Sequence, residues 1–186
     1  MRKSWEGLKH EAHGFFDEVD AFLTELGINK IARGFKADHL GLRFADPADV
    51  LRIKSQMQKE GTAISSAQVN GREILIIALA KPLMVGDQRV PAIELPYPKT
   101  NHTYQDGWEH VEFVIPCDAK DLESFRKVFD TTFPGLRSKI GESRIHYAES
   151  MPHADSDQLP NPTIELTKRL GLTIKFHPRS IQEVVA

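Results

Sequence analysis

Ala37-Asp38-His39-Leu40-Gly41-Leu42-Arg43-Phe44 alternates apolar and other residues with a period of two, the signature of a β-strand buried on one face. Leu40, Leu42 and Phe44 belong to a core, and His39 shares the opposite face with Gly41 and Arg43. The stretch recurs. Trp108-Glu109-His110-Val111-Glu112-Phe113-Val114-Ile115 has the same pattern, with His110 placed 71 residues after His39. Pro91-Ala92-Ile93-Glu94-Leu95 and Pro162-Thr163-Ile164-Glu165-Leu166 form a second pair at the same 71-residue step, from Glu94 to Glu165. Each half therefore opens with a His-bearing strand and closes with a Glu-bearing strand.

The segments between fill in a module. Asp46-Pro47-Ala48-Asp49 starts a helix, with Asp as N-cap and Pro in the first turn. Val50, Ile53 and Met57 form its buried stripe, and Gly61 ends it. Residues 62–69 and 72–80 read as strands joined at Asn70-Gly71, a strong two-residue hairpin signal. A loop through Pro82 and Gly86 leads to the Glu94 strand, residues 88–95. The second half repeats the order: Asp118 starts a helix with Leu122, Phe125 and Phe129 on its stripe, and Gly141-Glu142 falls where the hairpin would repeat. The predicted fold class is α+β, two βαβββ modules related by pseudo-twofold symmetry in a curved, barrel-like mixed sheet. The expected domain is single: an N-terminal helix (4–26), module one (36–95), a linker (96–107), module two (108–168) and a C-terminal strand-helix tail (172–185) outside the repeat.

The N-terminal helix is read from Leu8, Ala12, Phe15, Phe16, Val19, Phe22, Leu23 and Leu26, which recur at three- and four-residue steps. Ser4 is its N-cap and Gly27 its C-terminal stop. With no counterpart in the second half, it is expected to cover an outer sheet face.

A net charge of −2 with no basic stripe argues against nucleic-acid binding, which needs clustered cations on phosphates. One cysteine, Cys117, excludes an internal disulfide and any multi-Cys metal site. No apolar run approaches the ~20 residues of a membrane span, and no secretory signal opens the sequence. The expectation is a cytoplasmic protein without membrane contact and, since both halves lie in one chain, a monomer or weak homodimer.

Retention of both His and Glu at matched places points to one shared metal site built from His39, Glu94, His110 and Glu165. A duplicated scaffold accounts for matching apolar positions, but not for the paired donors. A carboxylate in an apolar strand needs a partner, because burying an unpaired charge is costly. Two imidazoles and two carboxylates suit a divalent Zn, Ni, Co, Mn or Fe ion better than a thiophilic metal.

Specific stretches carry a family resemblance: Ala-Asp-His-Leu-Gly-Leu-Arg at 37–43, Asn-Gly-Arg-Glu-Ile at 70–74, Ile-Glu-Leu-Pro-Tyr-Pro at 93–98, Gly-Trp-Glu-His-Val-Glu at 107–112, Leu-Pro-Asn-Pro-Thr at 159–163 and Thr-Ile-Lys-Phe-His-Pro at 173–178. Together they span nearly the whole chain, which resembles the YecM family within the vicinal-oxygen-chelate superfamily of glyoxalases, epimerases, extradiol dioxygenases and bleomycin-resistance proteins. The resemblance implies a barrel-like cup with a metal inside, on either four ligands or two His and one Glu. It implies an isomerase, epimerase or lyase whose small-molecule substrate presents two neighbouring oxygens, with Glu112, Glu94 or Glu165 as base and Arg43 as a clamp on a substrate anion. An Fe(II) oxygenase and a non-catalytic binder of a small molecule or metal are the alternatives. Arg72 reads as exposed after the hairpin, and His177 as structural beside Pro178.

Overall fold

The computed structural model describes residues 2–28, 34–69, 71–100, 102–141, 144–154, 157–168 and 171–186. Helix α1 (Trp5–Leu26) begins where the Ser4 side chain accepts from the Gly7 N–H. It stops at Gly27, whose φ of 78° lets the Gly27 and Ile28 N–H groups cap the last turn. Strand β1 (Ala37–Arg43) leads to helix α2 (Pro47–Met57), capped by Asp46, and then to β2 (Gly61–Val69), β3 (Arg72–Val85) and β4 (Gln88–Pro96). The second half runs β5 (Gly107–Val114), α3 (Leu122–Thr132), α4 (Leu136–Gly141), β6 (His146–Ser150), β7 (Thr163–Thr167), β8 (Thr173–His177) and α5 (Ile181–Val185).

Among the described residues, eight strands form one mixed sheet in the order β2-β3-β4-β1-β5-β8-β7-β6. β1 runs parallel to β4, and β5 runs parallel to β8. The two halves meet where β1 and β5 pair antiparallel. The order reads the same from either end once β1 to β4 are exchanged for β5 to β8, which is the expected pseudo-twofold. Leu40, Leu42, Ile93, Leu95, Val111, Phe113, Ile174 and Phe176 are fully or almost fully buried. They share the apolar core with α1, α2 and α3. The opposite face carries the polar residues of a cup. α5 packs against β2 at its rim.

Four local expectations change. Helix α3 begins at Leu122, not Asp118, because Asp121 is the residue whose carboxylate accepts from Ser124 N–H, at 2.8 Å. Strand β3 continues through Pro82 instead of breaking there. A register shift between Ala78 and Leu83 accommodates a residue that has no N–H to give the ladder. Gly141 ends helix α4 and is not part of a repeated hairpin; Glu142, like Asn70, lies outside the described residues.

The fourth change matters most for the site. β8 is not an addition beyond the repeat: it pairs with β5 as β4 pairs with β1. Gly41 sits opposite Glu94, and Glu112 sits opposite Lys175. The counterpart of Glu94 is therefore Lys175. Glu165 stands one strand farther out, opposite Lys175, where the first half has Ile76 opposite Glu94. The 71-residue step from Glu94 to Glu165 therefore does not mark equivalent places in the sheet, since the second half adds helix α4 and spaces its strands differently along the chain.

Candidate metal centre

The β1–β5 junction sets His39 opposite Glu112 and Gly41 opposite His110. The junction contains two register shifts, one passing over Asp38 and one passing over Glu109. A bulge re-aims the residues around it. Here each bulged acid lies beside the histidine that follows it. His39 Nδ1 is 2.8 Å from Asp38 Oδ2, and His110 Nδ1 is 3.0 Å from Glu109 Oε2. The acids fix Nδ1 as the protonated nitrogen and turn Nε2 of each ring toward the cup. Gly41 completes the arrangement: a Cβ there would collide with the His110 ring.

Both imidazoles are buried, and neither Nε2 has a hydrogen-bond partner. Around them stand two carboxylates. Glu112 Oε1 lies 3.2 Å from His39 Nε2 and 3.4 Å from His110 Nε2. Glu94 reaches within 4.0 Å of His39 Nε2 and 3.9 Å of His110 Nε2. One atom from each of His39, Glu94, His110 and Glu112 falls within 4.8 Å of every other. Two orphaned imidazole nitrogens facing two carboxylates fit a divalent first-row ion, since such a donor set leaves lone pairs that only a cation or a proton can satisfy.

Cations hold the acids in place. Arg43 Nη1 donates to Glu94 at 3.2 Å and its Nη2 pairs with Glu109 at 2.8 Å. Lys175 Nζ donates to Glu112 Oε1 at 2.9 Å. Burial works against the charge on Glu94, yet His110, Lys175 and Arg43 outweigh it and bring its carboxyl down to about 2. Glu112 is likewise held well below the usual range, against its burial, by Lys175 and His39. Burial also opposes the His39 imidazolium, but Glu112 and Asp38 push it up to about 10.

The residues singled out from sequence divide as follows. His39, Glu94 and His110 converge, and Glu112 joins them. Glu165 lies outside this group: it lines the same cavity and accepts from Thr167 Oγ1 at 3.0 Å. Arg43 is paired with Glu94 and Glu109, not with a free anion site. Arg72 is half-buried and lines the cavity, contrary to expectation. His177 is fully buried beside the site, its Nε2 3.4 Å from Glu112 and its ring stacked on His39. Asp38, Glu109 and Lys175 were not singled out. The first two carried a readable signal, an acid immediately before each histidine at the shared 71-residue step. Lys175 carried none, since its partner position is defined only by strand pairing.

The cup holds a cavity of about 450 Å³ with His39, Glu94 and Glu112 on its lining. No helix among the described residues is long and apolar enough to cross a membrane. The family described as YecM protein matches residues 5–186. Protein YecM of Escherichia coli K12 is 32% identical over 176 residues, 92% of this chain and 87% of that protein. An uncharacterized protein of Haemophilus influenzae Rd is 33% identical over 154 residues, 80% of this chain and 78% of that one. A solved structure described as Structural Genomics, Protein EC4020, superposes with a TM-score of 0.78 at 28% identity, covering 100% of this chain and 96% of that chain.

Proposed function

The chain belongs to the YecM family, and on that footing we propose that His39, Glu94, His110 and Glu112 hold one divalent metal ion in a metal-dependent isomerase or lyase. The observation that carries this reading is the pair of buried Nε2 atoms, each set by a carboxylate on its Nδ1 and each without a partner of its own. Bound there, the ion would supply Lewis-acid polarisation to a small substrate with two neighbouring oxygens, easing loss of a proton from the adjacent carbon.

The chain's own residues have distinct parts. Asp38 and Glu109 hold the imidazoles in one tautomer and orientation. Arg43 orients Glu94, and Lys175 holds Glu112 ionised. Glu165 is the carboxylate that lines the cavity outside the cluster. It lies in the same cross-strand row as Lys175, Glu112 and His39. That places it two strands from Glu112, a Cα separation of about 10 Å. A base free of the cluster and facing the substrate space is what a proton-transfer enzyme requires and a passive binder does not. We assign proton transfer to Glu165. Both modules lie in one chain, so a monomer can form the whole cup.

The test is metal content. Wild-type protein purified without chelator should carry close to one first-row metal per chain by elemental analysis. His39→Ala and Glu112→Gln should lose it. A wild-type chain that takes up no Zn²⁺, Ni²⁺, Co²⁺, Mn²⁺ or Fe²⁺ on dialysis would end this reading and leave the cup as a small-molecule binding site.

A further inference from the structure

We propose that Arg72 anchors a second anionic group of the ligand, a carboxylate or a phosphate, set apart from the oxygens that meet the His39–His110 cluster. This rests on the reading of the cup as a substrate site. Of the three Lys and Arg side chains lining the cavity, Arg43 is committed to Glu94 and Glu109 and Lys175 to Glu112. Among the described residues no ion pair joins Arg72 to a carboxylate, and its Nε is buried with no hydrogen-bond partner. A half-buried guanidinium in that state carries an unmet electrostatic cost. Burial and the positive charge of Arg43 both disfavour its charge, and the opposing pull of Glu94, Tyr104 and Glu109 does not offset them. An anion from outside the protein would resolve both the orphaned donor and the like-charge proximity.

Position defines the class of ligand. Arg72, Ile74 and Ile76 alternate along β3 and all line the cavity, and Ile76 pairs with Glu94 across to β4. Arg72 is thus four residues from the row of the cluster, a backbone rise of about 13 Å. A ligand joining the two would run along Ile74 and Ile76. The class is a small acid with neighbouring oxygens at one end, a short apolar spacer, and an anion at the other. The opposite wall carries Glu165 and Asp157, which would repel an anion bound in the reverse sense.

The experiment is calorimetric titration of three probes into the full chain, as purified and after metal loading. Lactate offers an α-hydroxycarboxylate alone. 2-Hydroxyglutarate adds a distal carboxylate, and 3-phosphoglycerate adds a distal phosphate. Wild-type protein should bind at least one of the latter two about tenfold or more tighter than lactate, the scale of one charged hydrogen-bonded contact. Arg72→Gln should erase that advantage while leaving lactate unchanged, and Arg72→Lys should restore part of it. Which probe gains identifies the anion. An advantage that persists in Arg72→Gln, or no advantage for either probe in wild-type protein, overturns the inference. Failure of the metal reading has a different signature, with no dependence of lactate binding on metal loading.

Discussion

Gly41 lies directly across the β1–β5 junction from His110, and the His110 ring fills the space a side chain on Gly41 would need. In the pseudo-twofold, the position equivalent to Gly41 is held by Glu112. One half contributes an empty place and the other a carboxylate, so the junction holds two imidazoles and one acid without collision. Gly41→Ala should push His110 out of line. Overpacking of this kind costs roughly 1–3 kcal/mol, and the expected result is a lowered melting temperature with metal uptake well below one per chain. Full metal occupancy in this variant would show that His110 does not need its present orientation.

The two bulged acids act through the rings they touch. Asp38→Asn and Glu109→Gln keep the shape but remove the charge behind each Nδ1. Groups in this position commonly contribute about 10- to 100-fold to metal affinity. Competition titration with a chromophoric chelator should show a loss in that range for each variant, with far-ultraviolet circular dichroism unchanged. Unchanged affinity in both would make the acids incidental to the site.

Metal uptake should depend on pH. In the metal-free cup His39 is held protonated up to about 10, so at neutral pH an incoming cation must displace that proton. Apparent affinity should rise as pH rises from 6 to 8, by about tenfold per unit for one proton displaced. Calorimetry in buffers of differing ionisation enthalpy would count the proton directly. A flat profile with no proton released would mean that His39 is not a ligand.

Lys175, part-buried, and Glu112, buried, form an ion pair at 2.9 Å. Lys175→Met leaves Glu112 among buried groups without its ammonium. Breaking such a pair from one side costs on the order of 3 kcal/mol, seen as a lower denaturation midpoint in metal-free protein. Saturating divalent metal should recover much of the loss, because the ion replaces the missing cation. A deficit of the same size with and without metal would place the ion away from Glu112.

Glu165→Gln tests the division between binding and turnover. Metal content should match wild type, since Glu165 lies outside the four-residue cluster. Exchange of the α-proton of a bound hydroxy or oxo acid with deuterated solvent, followed by nuclear magnetic resonance, should fall by about 100-fold or more. Loss of metal instead of loss of exchange would return Glu165 to the ligand set.

By itself the sequence determined the units of this protein. Ser4 and Gly27 bound α1, Asp46 caps α2, and the period of two around His39 and His110 identifies the strands that meet at the centre. These are local properties, written in which backbone groups lack partners and which side chains must leave water. The second donor pair was not local. Glu94 and Glu165 match by position along the chain, but sheet pairing sets Glu94 against Lys175 as its counterpart and leaves Glu165 a strand away. Only the tertiary structure decided that Glu112 enters the cluster, that Asp38 and Glu109 turn back to their histidines at bulges, and that Arg72 faces the cavity without an ion pair. Register and bulges are settled by the hydrogen-bonding of strands distant in sequence, and a shift of one residue or one strand reassigns every side chain on the face.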